Sequence, residues 1–551
     1  MITDLLIAPD IAVDSCIGET DDAISRTFSK AQTEGVKTWL YVGSVDRIHS
    51  ELAEKLMNLK LLSKEEASVN ASRLLKDFSS RHSWLAALTE DGEAVTDPFP
   101  LRSQLSKAVN RLGQGAYILT RSEDFLKDPS IKSISPEDYL VTLSSAPPEI
   151  PFVDLYRQQD LIRGEIERRI FTVLRHCRYV GGPEIAELEE RLKDEVGVQH
   201  AITCSSGTDA LFMSLLALGI GPGDAVFTVP FTFAATAEVI RLAGATPVFV
   251  DIDPVCFVMD PESLRKAIEA VEGKRRDVPL PRGADKLKPK AIIAVDLFGC
   301  PAPYKEISRI AHQYGLFLIE DAAQAFGSRY GKKMAGSLGN VGCVSFFPAK
   351  SLGAYGDGGA IFTDSEELAE RLRLIRNHGT DSVPYQHRII GLNGRLDSIQ
   401  AAVLLAKLKI FGAEKRQRQH IADLYTEKLS GIPGIITPTT PESVESVWSQ
   451  YSILTPSRIF RDTLRKELAE NRIPTAIYYP LPLHLQPAFE DLGYKSGDFP
   501  VAESCAERIL SLPIHPYVKK EVIEKVVEIA ARVNRNRKGC DHEAVGSYCL
   551  S

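Results

Sequence analysis

Apolar residues fall along the chain in two rhythms. Short unbroken apolar runs recur at 200–204, 225–229, 245–251, 291–298 and 316–321. Runs of this length, bounded by turn residues, predict strands buried on both faces, as a parallel sheet requires. The segments between them carry helical spacing. Pro183 sits in the first turn of a helix predicted over 183–194. A strand ending at Cys204, a Ser205-Ser206-Gly207-Thr208 turn and an apolar helix follow one another without a gap. Pro230-Phe-Thr-Phe-Ala-Ala-Thr leads the 225–229 strand into a further helix. The stretch 272–290 is charged and proline-rich and predicts a solvated loop.

The flanks read differently. Before residue 140, predicted strands at 5–13 (broken by Pro9), 37–45 and 116–120 alternate with helices at 21–34 and 63–79 and a helical turn at 122–127. Ser63 and Glu66 are spaced as a capping box. The alternation predicts a small α/β domain over 1–140. The Ser and Pro-Pro content of 141–150 holds neither a helix nor a central strand, so it predicts a linker. A large α/β region follows over 151–410. Helices at 417–429 and 460–471 and strands at 447–454 and 475–479 predict a smaller α+β part over 411–536. The tail, 537–551, is expected to be disordered.

Composition narrows the class. Of 551 residues, 44% are hydrophobic and 25% charged, the values of an ordinary soluble globular protein. A formal net charge of −8 supplies no basic field, so nucleic acid is not an expected partner. The nine cysteines form no C-x-x-C pair, and Cys540, His542 and Cys549 match no standard metal spacing. No metal site is expected, and a reducing cytoplasm fits the scattered thiols. The first residues lack the basic region and long apolar core of a signal peptide. No run approaches the ~18 apolar residues of a membrane span.

Candidate chemistry gathers around one lysine. Lys350 lies within Gly342-Cys-Val-Ser-Phe-Phe-Pro-Ala-Lys-Ser-Leu-Gly-Ala-Tyr-Gly-Asp-Gly-Gly-Ala, on a glycine-permitted turn beside a buried strand. A desolvated amine there forms a Schiff base with an aldehyde. The helix N-terminus after Ser205-Ser206 is a phosphate cradle, with Gly207 and Thr208 as donors. Phe233 is the candidate to stack on a flat ring; the other reading puts Phe231 and Phe233 both in the core. Asp321 closes the 316–321 strand at the crevice where α/β sheets bind ligands. It can pair there with a protonated pyridine nitrogen. Gln324 follows at reach of a ring hydroxyl.

The motifs 179–184, 205–211, 230–236, Glu320-Asp-Ala-Ala-Gln324, Ser345-Phe-Phe-Pro-Ala-Lys350, 356–360 and Gly391-Leu-Asn-Gly-Arg-Leu-Asp397 resemble the DegT/DnrJ/StrS family of pyridoxal-phosphate sugar aminotransferases. The resemblance spans 151–535 and implies the type I pyridoxal-phosphate transferase fold. In that fold 151–410, including an N-terminal arm, is a large domain with a mixed, mostly parallel sheet, and 411–536 is the small domain. It also implies roles. Lys350 is the Schiff-base lysine and general acid/base. Asp321 holds the ring nitrogen, Gln324 the ring hydroxyl, and Phe233 stacks. Gly207, Thr208 and Ser345 bind the phosphate. Asn393 reaches the phosphate in a neighbouring subunit, which makes the protein a homodimer with shared sites. Glutamate donates the amino group, and a nucleotide-linked keto sugar accepts it. The sequences at 347–359, 393–397 and 478–487 are most similar to the subgroup acting on UDP-2-acetamido-2-deoxy-3-oxo-glucuronate, which serves bacterial surface polysaccharide such as O-antigen. Arg395 would then pair with the uronate carboxylate. His484 would meet the sugar or its phosphates, or else hold the proline-rich loop together.

The first 140 residues resemble a PIN-type nuclease domain, in the opening strand and in Ala116-Tyr-Ile-Leu-Thr-Arg-Ser-Glu-Asp-Phe-Leu. Such nucleases surround divalent metal with carboxylates. Here Ala8 and Ser122 stand near expected acids, leaving Asp10, Asp14, Glu51 and Asp124. The departure implies a domain without catalysis, used in assembly or regulation. Two other readings are a dehydratase using pyridoxamine phosphate, whose relatives carry His in place of the lysine, and a regulator or scaffold whose first domain binds a partner or RNA.

Overall fold

The computed structural model describes the backbone of five short stretches before residue 140, all of 150–536 except 382 and 384, and the backbone of 537–546. The chain divides into two compact units, Met1–Glu149 and Ile150–Ser551. In the first, β1 (Asp4–Ile7), β2 (Lys37–Val42), β3 (Ser83–Ala86), β4 (Ala116–Leu119) and β5 (Ser133–Ile134) form one parallel sheet, ordered β3-β2-β1-β4-β5. Ala8, Asp10, Asp14, Glu51, Ser122 and Asp124, and the helices expected at 21–34 and 63–79, lie outside the described residues.

The second unit opens with α1 (Leu155–His176) and α2 (Pro183–Val196). The hydrophobic pattern does not announce α1, because it buries only Gln158, Ile166 and Val173 among many charged residues. Then come β6 (His200–Cys204), α3 (Gly207–Ala217), β7 (Asp224–Thr228), α4 (Ala235–Leu242), β8 (Thr246–Phe249), α5 (Pro261–Val271), β9 (Lys288–Val295), α6 (Tyr304–Tyr314) and β10 (Phe317–Asp321). β11 (Arg329–Tyr330), β12 (Lys333–Met334), β13 (Val341–Ser345), β14 (Gly359–Thr363), α7 (Glu366–Arg376) and α8 (Ser398–Leu429) follow. The chain continues through β15 (Val444–Glu445), β16 (Tyr451–Leu454), α9 (Arg458–Glu470), α10 (Pro500–Arg508), β17 (Ile509–Leu512) and α11 (Lys520–Gly546).

Seven strands form the main sheet in the order β6-β14-β13-β10-β9-β7-β8. β14 runs antiparallel to both its neighbours, and the remaining pairs are parallel. Six strands therefore point one way. Their side chains alternate between two cores. Phe227, Ile292 and Leu318 pack with α5 and α6, while Val226, Ile293 and Ile319 pack with α3, α4 and α7. With helices on both faces, continuous apolar strands are what burial demands. A further core joins the end of α8 to α9, α11, β16 and β17.

Four expectations are corrected. α8 is a single helix of 32 residues that runs straight through the expected domain boundary at 410. A Cβ at its one internal glycine, Gly412, would meet only the Arg416 side chain, at 3.8 Å, and no proline interrupts the helix. The strand expected at 475–479 reduces to one bridge, Ala476 to Ser511, between flanking prolines that cannot donate to a ladder. The loop expected over 272–290 gives way to β9 at Lys288. The backbone of 537–546, expected to be disordered, continues α11. Among the described residues no helix is long and apolar enough to cross a membrane.

Candidate active site

β6, β7, β10 and β13 end on the same edge of the sheet, so the residues that follow each strand meet. At the first, the side chain of Ser206 caps α3, accepting from the Asp209 N–H at 3.0 Å. Gly207 opens that helix against Ser345. A Cβ at Gly207 would lie 2.7 Å from the Ser345 Cβ, so only glycine permits the approach. The result is a helix N-terminus with free N–H groups facing a cavity of about 620 Å³. Gly207, Thr208, Phe233, Asp321, Gln324, Ser345 and Lys350 all line this cavity, as do Thr236, Asp357 and Tyr479.

The last two residues of β10 are carboxylates that part by strand alternation. Glu320 is fully buried and accepts from the Gly336 and Leu338 N–H groups at 2.5 and 2.7 Å. Asp321 turns to the cavity. Its Oδ2 accepts from Thr236 Oγ1 at 2.7 Å and its Oδ1 from the Ala323 N–H at 3.2 Å. Burial raises the Asp321 carboxyl above its ordinary value, against the pull of these two hydrogen bonds and the charge of Lys350. Lys350 is half-buried on the loop after β13, and its N–H donates to Phe347 O at 2.8 Å. Desolvation pushes its ammonium down from the ordinary value, with Asp321 opposing. The two shifts share one cause and bring an amine and a carboxylic acid closer in proton affinity.

The reading that puts Phe231 and Phe233 both in the core fits only the first of them. Phe231 is fully buried, whereas Phe233 is 58% exposed and presents its ring to the cavity. Gln324 is held at both ends: Oε1 accepts from the Phe298 N–H at 2.9 Å and Nε2 donates to the Tyr479 hydroxyl at 3.1 Å.

Three expected site residues lie elsewhere in the chain. Asn393 is exposed on the segment before α8 and bridges to Asn377. Arg395 donates to Asn377 Oδ1 at 2.7 Å and lines a second cavity of about 590 Å³ with Arg373, Arg376 and Arg388. His484 is the correction. Its side chain is sealed from solvent, its Nε2 lies 3.1 Å from Glu503 Oε1, and its ring packs edge-on to Phe499. Burial lowers its proton affinity. Of the two roles open to it, the structural one matches this placement. Two cavity residues escaped the sequence reading: Thr236, which anchors Asp321, and Tyr479, which anchors Gln324. Both stood inside quoted motifs. Thr236 carried a faint signal as the partner of Thr232 one helical turn earlier, 3.1 Å away.

The donor set suits pyridoxal phosphate. It offers an amine for the aldehyde, a buried carboxylate for the ring nitrogen, an exposed aromatic face for the ring, and a glycine-opened helix N-terminus for the phosphate. Known proteins agree. The chain is 45% identical over 369 residues to a Pseudomonas aeruginosa protein named UDP-2-acetamido-2-deoxy-3-oxo-D-glucuronate aminotransferase, covering 67% of this chain and 96% of that one. It matches the crystal structure of a DegT DnrJ EryC1 StrS aminotransferase from Brucella abortus with a TM-score of 0.65 and 46% identity, covering 69% of this chain and 98% of that one. A Bacillus subtilis protein, NtdA, solved with bound cofactor PMP, matches with a TM-score of 0.62 and 29% identity over 71% of this chain and 86% of its own. PMP is the aminated form of pyridoxal phosphate. The DegT/DnrJ/EryC1/StrS aminotransferase profile matches residues 160–530, so this chain belongs to that family of enzymes, which work with pyridoxal phosphate.

Proposed function

We propose that this enzyme moves the amino group of glutamate to a UDP-linked 3-keto sugar, with UDP-2-acetamido-2-deoxy-3-oxo-glucuronate as the substrate. The aminated uronate would serve bacterial surface polysaccharide such as O-antigen. The observation that carries the reading is Lys350 and Asp321 facing one cavity beside the Gly207–Ser345 cradle. The activity named for the Pseudomonas aeruginosa relative supports the choice of sugar.

The bound cofactor supplies an aldehyde for amines and a ring that takes up an electron pair. The chain's own residues do the rest. Thr208, Ser345 and the N–H groups that open α3 would hold the phosphate. Phe233 would cover one ring face. Asp321 would keep a proton on the ring nitrogen, with Thr236 fixing the direction of its carboxylate. Lys350, with its ammonium destabilised by burial, holds its proton less tightly than an exposed lysine. It can therefore take a proton from the glutamate α-carbon and later return one to the sugar carbon. Glutamate leaves as 2-oxoglutarate, and its nitrogen ends on the sugar. Asn393 and Arg395 lie outside this chain's cavity, on a surface segment. They act across a homodimer, in the partner's cavity, where Arg395 meets the uronate carboxylate.

The test is a panel of UDP-linked keto sugars incubated with enzyme and glutamate, read by product mass. Amination of the 3-oxo uronate ahead of neutral 3-oxo and 4-oxo sugars is the expected result. No product from any member overturns the function, and preference for a neutral sugar overturns the uronate.

A further inference from the structure

We propose that Lys407 is a positioning residue for Lys350, holding the loop 346–355 against α8 through the ring of Tyr355. The proposal rests on Lys350 being the reactive amine.

Lys407 lies mid-helix in α8 and is 1% exposed. Its Nζ has no hydrogen-bond partner and sits 4.4 Å from the centroid of the Tyr355 ring. The Tyr355 hydroxyl is also buried without a partner. Packing and the ammonium therefore fix this ring. Tyr355 packs against the small cluster of Ile166 of α1 and Val403 and Ala406 of α8, with the cation over the face of its ring. α8 holds Tyr355 a second time, as the Tyr355 N–H donates to Gln400 Oε1 at 2.8 Å. Gln400 and Lys407 are two turns apart on one helix face.

Tyr355 ends the loop that carries Lys350. The loop closes on itself where the Ala354 N–H donates to Phe346 O at 2.7 Å, and Ser351 Oγ donates to Phe326 O at 3.0 Å. Phe346, Leu352 and Ala354 of the loop are buried in a core shared with α2 and α8, and Tyr355 is held by α8 beside them. A buried ammonium with no hydrogen bond is costly, and an apolar side chain of the same length would avoid that cost. Lys407 thus serves poorly as a stability device, and its ammonium lies over a ring of the lysine loop.

Lys407→Met, Lys407→Arg and Tyr355→Leu test this in the full chain. Hydrogen exchange of amides 347–356 is followed in the protein as purified. The pH dependence of Lys350 acylation is followed in protein stripped of cofactor, by peptide mass. The expected result for Lys407→Met is faster exchange confined to 347–356 and a displaced pH midpoint for Lys350. The kcat falls about tenfold with the KM for glutamate little changed, and Tm is not lowered. Lys407→Arg, still cationic over the ring, restores all of these, and adding Tyr355→Leu to Lys407→Met changes nothing more. Unchanged exchange and an unchanged Lys350 midpoint overturn the proposal. So does a lowered Tm with exchange rising throughout the core, which would make Lys407 an ordinary packing residue. Neither readout depends on the sugar, so failure here leaves the proposed reaction to be judged by its own assay.

Discussion

Glu320 and Asp321 are neighbours in sequence and face opposite sides of β10. One carboxylate is spent on the backbone of Gly336 and Leu338, and the other reaches the cofactor cavity. At this scale the chemistry is set by what each charge is given. Thr236→Val removes a hydrogen bond to a charged acceptor, a contribution of about 1.5–3 kcal/mol. It should lower kcat at least about tenfold and displace the acidic limb of the pH–rate profile upward, because less then opposes burial of Asp321. Lys350→Ala should leave the purified protein without its yellow colour and lower kcat about a thousandfold. Retained colour that bleaches with glutamate would assign the Schiff base to another lysine. Lys407 gives a third prediction. Burial pushes it from 10.5 to about 8, with Glu414 of α8 opposing, while Arg163 of α1 acts on the neighbouring Tyr355. Between pH 8 and 10.5 the unfolded chain binds more protons than the folded one, so stability rises with pH across that window. Below pH 8 the full cost, about 3 kcal/mol, is present. Lys407→Met should therefore melt higher than wild type at pH 7, and the gap should close by pH 10.5 in thermal scans across that range.

At the scale of elements, the phosphate cradle is a contact between two of them: the start of α3 against the end of β13. Alanine favours helices over glycine by about 1 kcal/mol, so propensity alone would favour Gly207→Ala. The 2.7 Å approach to Ser345 Cβ decides otherwise. Gly207→Ala should weaken cofactor binding at least about tenfold while far-UV dichroism stays unchanged, measured by titrating pyridoxal phosphate into stripped protein. α8 is the other decisive element. It touches the lysine loop through Gln400 and Lys407, and its far end packs in the core of α9 and α11. One rigid helix thus joins the loop to the C-terminal core. The boundary expected at 410 falls inside it.

At the scale of the whole molecule, Asn393 and Arg395 do not line the cavity that Lys350 lines, and Arg395 lines another. A site completed by a second copy makes a sharp prediction. Lys350→Ala and Arg395→Ala should each be inactive on the uronate. Mixed and allowed to exchange subunits, they should regain about a quarter of wild-type activity, because each hybrid dimer holds one intact site. No recovery from a mixture shown to contain hybrid dimers would place Arg395 outside the reaction or within its own chain's cavity.

The chemistry was legible in the chain because local rules wrote it. Apolar runs flagged the strands, Ser-Ser-Gly-Thr a capped helix start, and a terminal Asp the crevice. Lys350, Asp321, Gln324, Phe233, Gly207, Thr208 and Ser345 all line one cavity. Three kinds of fact depended on contacts distant in sequence. Burial separated Phe233 from Phe231 and sealed His484 against Glu503. Partners far along the chain, Thr236 for Asp321 and Tyr479 for Gln324, became visible only when segments 85 and 155 residues apart came together. α1 stayed hidden because its few buried residues form too thin an apolar stripe to stand out in one dimension. A sequence determines which groups can do chemistry and the local turns that carry them. The fold decides which of those groups lose their water, and proton affinity and orientation at this site follow from that loss.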